Sequence, residues 1–202
     1  IAATKTFTSQ MYLLAMLCME WSGNQELSKI IDRVPEVVAS LLETMPARIE
    51  KMIPRYKNIE DAFVLGRGLS YPIALEGALK TLETNRIRVK GYPISDFHHG
   101  PLAQVHEHSL VIVMAPEGPV QCDAEEMIGK LNNIGADVLI ITDQEKMAEK
   151  YQNVLVVPAN GKDVGAAWPM AVTMQLFALK LTEQKGIDPD ASLVLKKVTI
   201  TK

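Results

Sequence analysis

A chain of 202 residues, 48% hydrophobic and 22% charged, with a formal net charge of −3, has the size of one ordinary domain plus a short accessory segment, and enough apolar material for a full core. The slight acidity argues against binding nucleic acid or a membrane surface through charge, since either calls for a basic patch. Cys18 and Cys122 are too few and too isolated for a disulfide framework. Each stands in an apolar or amphipathic run, so buried free thiols in a reducing, cytoplasmic compartment are expected. No apolar run approaches the roughly 18 residues of a membrane span, and no signal peptide opens the chain. Ile1 begins the chain in mid-pattern, which reads as a fragment of a longer protein.

In chain order, Thr4 to Trp21 carries Phe7, Met11, Leu14, Leu17 and Trp21 at helical spacing, and Gly23 is the expected stop. A second helical stretch covers about 25–56, and Pro35, Pro46 and Pro54 are expected to split it into shorter pieces. Both precede any strand signal, so residues 1–57 read as a connector or a dimer-packing element. From residue 58 the pattern changes. Expected strands are 62–66, 86–90, 109–114, 137–142 and 154–157; expected helices are 71–82, 123–134, 144–151 and a long one over 166–185 that stops at Gly186. Strands apolar throughout, alternating with helices, indicate a parallel sheet covered on both faces. The expected fold is therefore α/β, a three-layer α-β-α sandwich around a five-stranded parallel sheet.

Ligands of such sheets gather at the carboxyl ends of the strands. Gly66-Arg-Gly68-Leu-Ser70 follows the first strand and enters a helix, so its amides could face an anion. The third glycine of a dinucleotide fingerprint is missing, which argues against a nicotinamide cofactor. His98, His99, His106 and His108 lack a recognised ligand spacing and a completing Cys or carboxylate, so no metal is expected either. Glu76, Lys80 and Glu83 are spaced by four and three and share one helix face; from spacing alone this reads as a solvated ion-pair stripe. His99 directly precedes Gly-Pro, a bend from which its ring can project into a cleft.

Gly66-Arg-Gly68, then Tyr71-Pro-Ile-Ala-Leu-Glu76-Gly-Ala-Leu-Lys80 with Glu83, then His99-Gly-Pro-Leu, closely resemble the second SIS (sugar isomerase) domain of the glucosamine-6-phosphate synthase family. The opening Ile1-Ala-Ala-Thr-Lys-Thr-Phe-Thr-Ser-Gln10 is similar to the end of that family's first SIS domain, and Leu195-Lys196-Lys197-Val-Thr199 to its tail. The resemblance implies a flavodoxin-like SIS domain over 58–202, with 1–57 the connector that ends a preceding SIS domain. It implies that Glu83 shuttles a proton between C1 and C2 of a sugar 6-phosphate, that Lys80 assists, and that His99 opens the sugar ring from the neighbouring subunit of a homodimer. These roles suit a carboxylate base, a near-neutral acid–base group and a cation for a developing enediolate. A tail lysine is also implied. Gapless spacing selects Lys196, a related tail pattern Lys197. Ile1, Ala2, Ala3 and Leu195 are the implied substrate contacts.

Two departures stand out. Ser192 and Leu195 occupy places where the family has arginine and alanine. The Ser-rich phosphate loop of the form Ser-x-Ser-Gly-x-Thr is missing too. The turn after the third strand is Ala115-Pro-Glu-Gly-Pro119, with a carboxylate and two prolines, and it would repel phosphate. This chain alone is therefore expected to bind sugar phosphate poorly and not to turn it over. For the intact protein the resemblance implies a synthase, a deaminase or a fructosamine-phosphate deglycase. A non-catalytic sugar-phosphate sensor and a structural dimerisation module are the alternatives from other classes. Glu83 and Lys80 are expected on one helix face at the carboxyl edge of the sheet.

Overall fold

The structure, a computed structural model, describes residues 2–158 and 160–190. Helix α1 (Lys5–Ser22) ends at Gly23, whose φ of 63° places it in the left-handed region that a glycine enters at no steric cost. Helix α2 (Gln25–Met52) starts at Asn24, whose side chain accepts hydrogen bonds from the amides of Glu26 and Leu27. It runs 28 residues with Pro35 and Pro46 inside it, so the expected split at those prolines is corrected. Ile31, Val34, Val37, Leu41, Met45 and Ile49 are all buried along one face. Burying six such side chains, at about 1.5–3 kcal/mol each, outweighs roughly 3 kcal/mol per interior proline. Only Pro54, in the 3-10 turn Ile53–Tyr56, coincides with the helix end.

Strands β1 (Asp61–Gly66), β2 (Arg88–Pro93), β3 (Leu110–Met114), β4 (Asp137–Thr142) and β5 (Val154–Val156) form one parallel sheet in the order β2-β1-β3-β4-β5. Between them lie α3 (Ser70–Asn85), α4 (Ile94–Phe97), α5 (Gln121–Ile134) and α6 (Glu145–Lys150), and α7 (Lys162–Gln184) follows. The expected α/β sandwich with a five-stranded parallel sheet is what forms. β2 begins two residues later than expected because Arg86 takes a left-handed φ of 54° to close α3.

Alternation along the strands divides the core in two. Ala62, Val64, Leu110, Ile112, Leu139 and Ile141 face a layer of α2, α3 and α7. Phe63, Leu65, Val111, Val113, Val138 and Ile140 face α4, α5 and α6. Helix α7 is the one helix among the described residues long and apolar enough to cross a membrane, which corrects the expectation that no run approaches that length; 72% of its most apolar window is buried inside the fold. It is the central core helix, and it meets α3 closely: a Cβ on Gly77 would stand 2.7 Å from Met174 Cε.

The thiols are a second correction. Cys18 and Cys122 are both exposed. Helix α1 packs through Phe7, Met11, Tyr12 and Ala15, which leaves Cys18 on the outside with Leu14, Leu17 and the 87% exposed Trp21. Cys122 lies in the first turn of α5, beside the turn after β3.

Candidate active site

A parallel sheet sends every following helix back from the carboxyl to the amino ends of its strands. Helix α3 starts just after Gly66, at the carboxyl end of β1, and finishes three residues before Arg88 opens β2. Its last two turns, with Lys80 and Glu83, therefore lie toward the amino ends. The expectation that this pair sits at the carboxyl edge is corrected by that topology.

The pair itself is close. Lys80 Nζ donates to Glu83 Oε2 at 2.7 Å. Lys80 is only 4% exposed, while the Glu83 side chain keeps 24% of its surface. Glu76, one turn before Lys80, is buried at 7%, so the three do not form the solvated stripe that spacing alone suggests. α3 turns this face toward α7 and the amino-terminal segment, and charges can stay there only because they are paired. Lys80 is salt-bridged to Glu83 and acts on Glu76 through space. Burial pushes its carboxyl above the ordinary range; the Lys80 ammonium and a hydrogen bond from Gln175 pull it back, and Glu83 pushes it up again.

Lys80 lines a cleft of about 380 Å³. Its other walls are Ala2 and Thr4, Leu42 of α2, Thr84 of α3, α7 residues from Val172 to Leu179, and Pro189 with Asp190. Of the expected substrate contacts, Ala2 stands in this wall and Ala3 is exposed beside it. Ile1, Leu195 and Lys196, together with the alternative Lys197, lie outside the described residues. His99 is exposed just after α4, at the carboxyl end of β2. The six residues of β2 span roughly 17 Å. Within one chain His99 and Glu83 thus stand at opposite ends of the sheet.

The carboxyl edge, where a ligand is first sought, has a different character. The amides of Ser70 and Tyr71 are already bonded to the carbonyls of Arg67 and Gly68. Ser70 is buried and Arg67 is paired with Asp123 at 3.0 Å. Across the edge, the Glu117 amide donates to Asp143 Oδ1 at 2.7 Å. Burial pushes the Asp143 carboxyl up; its backbone hydrogen bonds, chiefly from the Glu117 amide, oppose this, and Glu117 and Asp163 add to the rise. An anion meets three carboxylates here and few free donors. Among the described residues no three potential metal ligands converge.

Comparison with known proteins shows the family and the fold. The family model "SIS domain" matches residues 56–182. The chain belongs to the SIS domain family. It is 33% identical over 209 aligned positions to a glutamine–fructose-6-phosphate aminotransferase (isomerizing) of Aquifex aeolicus, covering all of this chain and 34% of that protein. To the protein of the same name from Methanothermobacter thermautotrophicus it is 31% identical over 199 positions, 98% of this chain and 33% of the relative. The chain thus spans about a third of the length of these relatives. The solved C-terminal domain of glucosamine-fructose-6-phosphate aminotransferase from Francisella tularensis superimposes with a TM-score of 0.85 at 25% identity, over 95% of this chain and 57% of that one. Glucosamine-6-phosphate deaminase from Thermotoga maritima shares the fold, with a TM-score of 0.75 at 22% identity, over 98% of this chain and 57% of that one.

Sequence reasoning named Glu76, Lys80 and Glu83 but missed Gln175 and Thr84, which complete the cleft. A signal for Gln175 was available: one amide stands inside the apolar run Met174-Gln-Leu-Phe-Ala of α7. Thr84 carries no such mark.

Proposed function

We propose that this SIS domain is the proton-transfer half of an enzyme that interconverts ketose and aldose 6-phosphates of the fructose-6-phosphate and glucosamine-6-phosphate type, with transfer or release of the amino group. The observation that carries the reading is the buried Lys80–Glu83 pair, 2.7 Å apart, beside a cleft large enough for a sugar. Glu83 is the base. It takes the proton alpha to the carbonyl, the C–H bonding pair stays on the substrate as an enediolate, and the same carboxyl returns the proton to the neighbouring carbon. Lys80, held close and dry, supplies the charge that steadies the enediolate oxygen. The names of the relatives support the substrate class.

Residues 1–57 connect, in this reading, to a preceding SIS domain that carries the phosphate site, because the carboxyl edge of this domain is acidic. His99 serves the cleft of a second copy in a homodimer, since within its own chain it faces the wrong end of the sheet. The uncovered apolar residues Leu13, Leu14, Leu17 and Trp21 of α1 fit such an assembly, because an exposed apolar stripe marks a contact surface. Lys196 acts from the tail, with Ile1, Ala2, Ala3 and Leu195 at the substrate. The enzyme works in the cytoplasm without a cofactor or metal.

The test is exchange of the substrate C2 proton with deuterium oxide in the full-length protein. Glu83→Gln keeps the shape and loses the basicity, so exchange falls at least a hundredfold while the folded circular-dichroism spectrum is retained. Wild-type exchange in the variant would exclude Glu83 as the base.

A further inference from the structure

Gln175 stands half-buried in the middle of α7, where an amide shielded from water gains by finding partners. Its Nε2 donates to the Thr4 carbonyl at 3.3 Å and to Glu76 Oε1 at 3.5 Å. One amide therefore joins the amino-terminal segment, α3 and α7, three pieces of chain remote in sequence that meet around the cleft. Both contacts are longer than the usual N–H···O distance, and a shift of a few tenths of an ångström would bring them into it.

The bridge matters because one ammonium serves two carboxylates. Lys80 is bonded to Glu83. When Glu83 accepts a proton from a substrate carbon it becomes neutral, its negative charge passes to the enediolate oxygen, and the Lys80 ammonium must shift from Glu83 to that oxygen. Glu76 lies four residues before Lys80, the favourable order for a helical ion pair, and can anchor the ammonium through that shift only while ionised. The charged groups acting on Glu76 are Lys80, which favours its ionised form, and Glu83, which opposes it; α7 presents the neutral Gln175, and the amino-terminal segment and strands β1 and β2 bring no charge to it among the described residues. A hydrogen bond to the charged form of a carboxyl favours that form.

We propose that Gln175 is a positioning residue of the Lys80–Glu83 site, holding Glu76 ionised as the second counter-ion of Lys80 and tying the Ala2–Thr4 segment to α3. The proposal rests on the assignment of Glu83 as the proton-transfer base. Gln175→Met keeps length and helix preference but cannot donate. In the full-length protein, infrared titration of the protonated carboxyl band, assigned by its loss in Glu76→Gln, follows Glu76 without any substrate. In Gln175→Met that titration moves to higher pH by about half a unit or more. The rate of C2 proton exchange falls at least threefold on the acid side of its pH profile and is regained as the pH rises. Gln175→Glu, similar in shape but bringing a like charge, moves the titration further in the same direction and serves if the methionine variant does not fold.

An unchanged Glu76 titration, or a loss of rate independent of pH, in a protein whose wild type exchanges the proton would overturn the bridge alone. A wild type that exchanges no sugar-phosphate proton would remove the role of Glu83 and with it the purpose of the bridge. That result is visible before any variant is made.

Discussion

The two ends of the sheet place similar charges in opposite service. At the carboxyl edge Glu117, Asp143 and Asp163 crowd one another, and the Arg67 guanidinium is paired with Asp123. Toward the amino ends, Glu83 is bonded to a buried Lys80 that lines an open cleft, and Glu76 lies one helical turn away. Parallel sheets usually bind at the first place, where helix N-termini and free amides collect. Here the amides of Ser70 and Tyr71 are used within the turn after β1. In the proposed reading the chemistry lies instead beside the buried Lys80 ammonium, where Glu83 is bonded to it and Glu76 stands one turn away. A fold sets where a site is cheap to build, and side chains decide where it is built.

The largest effect is expected from mixing chains. Full-length Glu83→Gln and His99→Asn are each expected to be almost inactive. In mixed dimers one cleft receives both intact groups, so activity rises at least tenfold over either variant alone. Mixed dimers as inactive as their parents would place His99 away from the neighbour's cleft.

A smaller effect separates the buried pair from a surface one. Lys80→Met leaves Glu76 and Glu83 without their cation. Because Glu83 keeps part of its surface in water, the loss is below the 3–5 kcal/mol of a fully buried pair, on the order of 2 kcal/mol in urea unfolding. A change under about 0.5 kcal/mol, the scale of an exposed pair, would mean that the burial of Lys80 has been misjudged.

The smallest effect belongs to the carboxyl edge. The raised Asp143 carboxyl means that the folded state holds a proton more readily than the unfolded chain. Stability therefore falls as the pH rises from about the unfolded value of 3.8 through the folded one, and is level above it. Asp143→Asn can still accept the Glu117 amide bond and removes the charge. Tm should rise by a few degrees at most at pH 7, the gain should vanish near pH 3, and C2 proton exchange should not change. A loss of exchange in this variant would bring the carboxyl edge into the reaction.

Much of this was legible in the sequence, for reasons that differ by region. β4 was placed residue for residue and β1 and β3 to within one, because Val, Ile and Leu run unbroken there and only a strand buried on both faces does that. α2 was misread because proline acts locally while its apolar stripe is paid for by contacts with α7 and the sheet. The cysteines were misread for the opposite reason: a hydrophobic neighbourhood in sequence says nothing about which face of α1 finds a partner. At the site, the spacing of Glu76, Lys80 and Glu83 gave one helix face, but whether that face meets water or α7 is a tertiary fact. Gln175 is ninety-nine residues from Glu76, and no local pattern connects them.

In the proposed function, sugar phosphate is handled at the cleft toward the amino ends of the strands. Hydrogen exchange of backbone amides in the full-length protein, with and without glucosamine-6-phosphate, tests it most directly. Slowed exchange is expected in residues 2–5, 76–84 and 172–179, with no change in 115–119 and 142–146. Protection confined to those last two segments would put the ligand at the acidic edge and contradict the assignment.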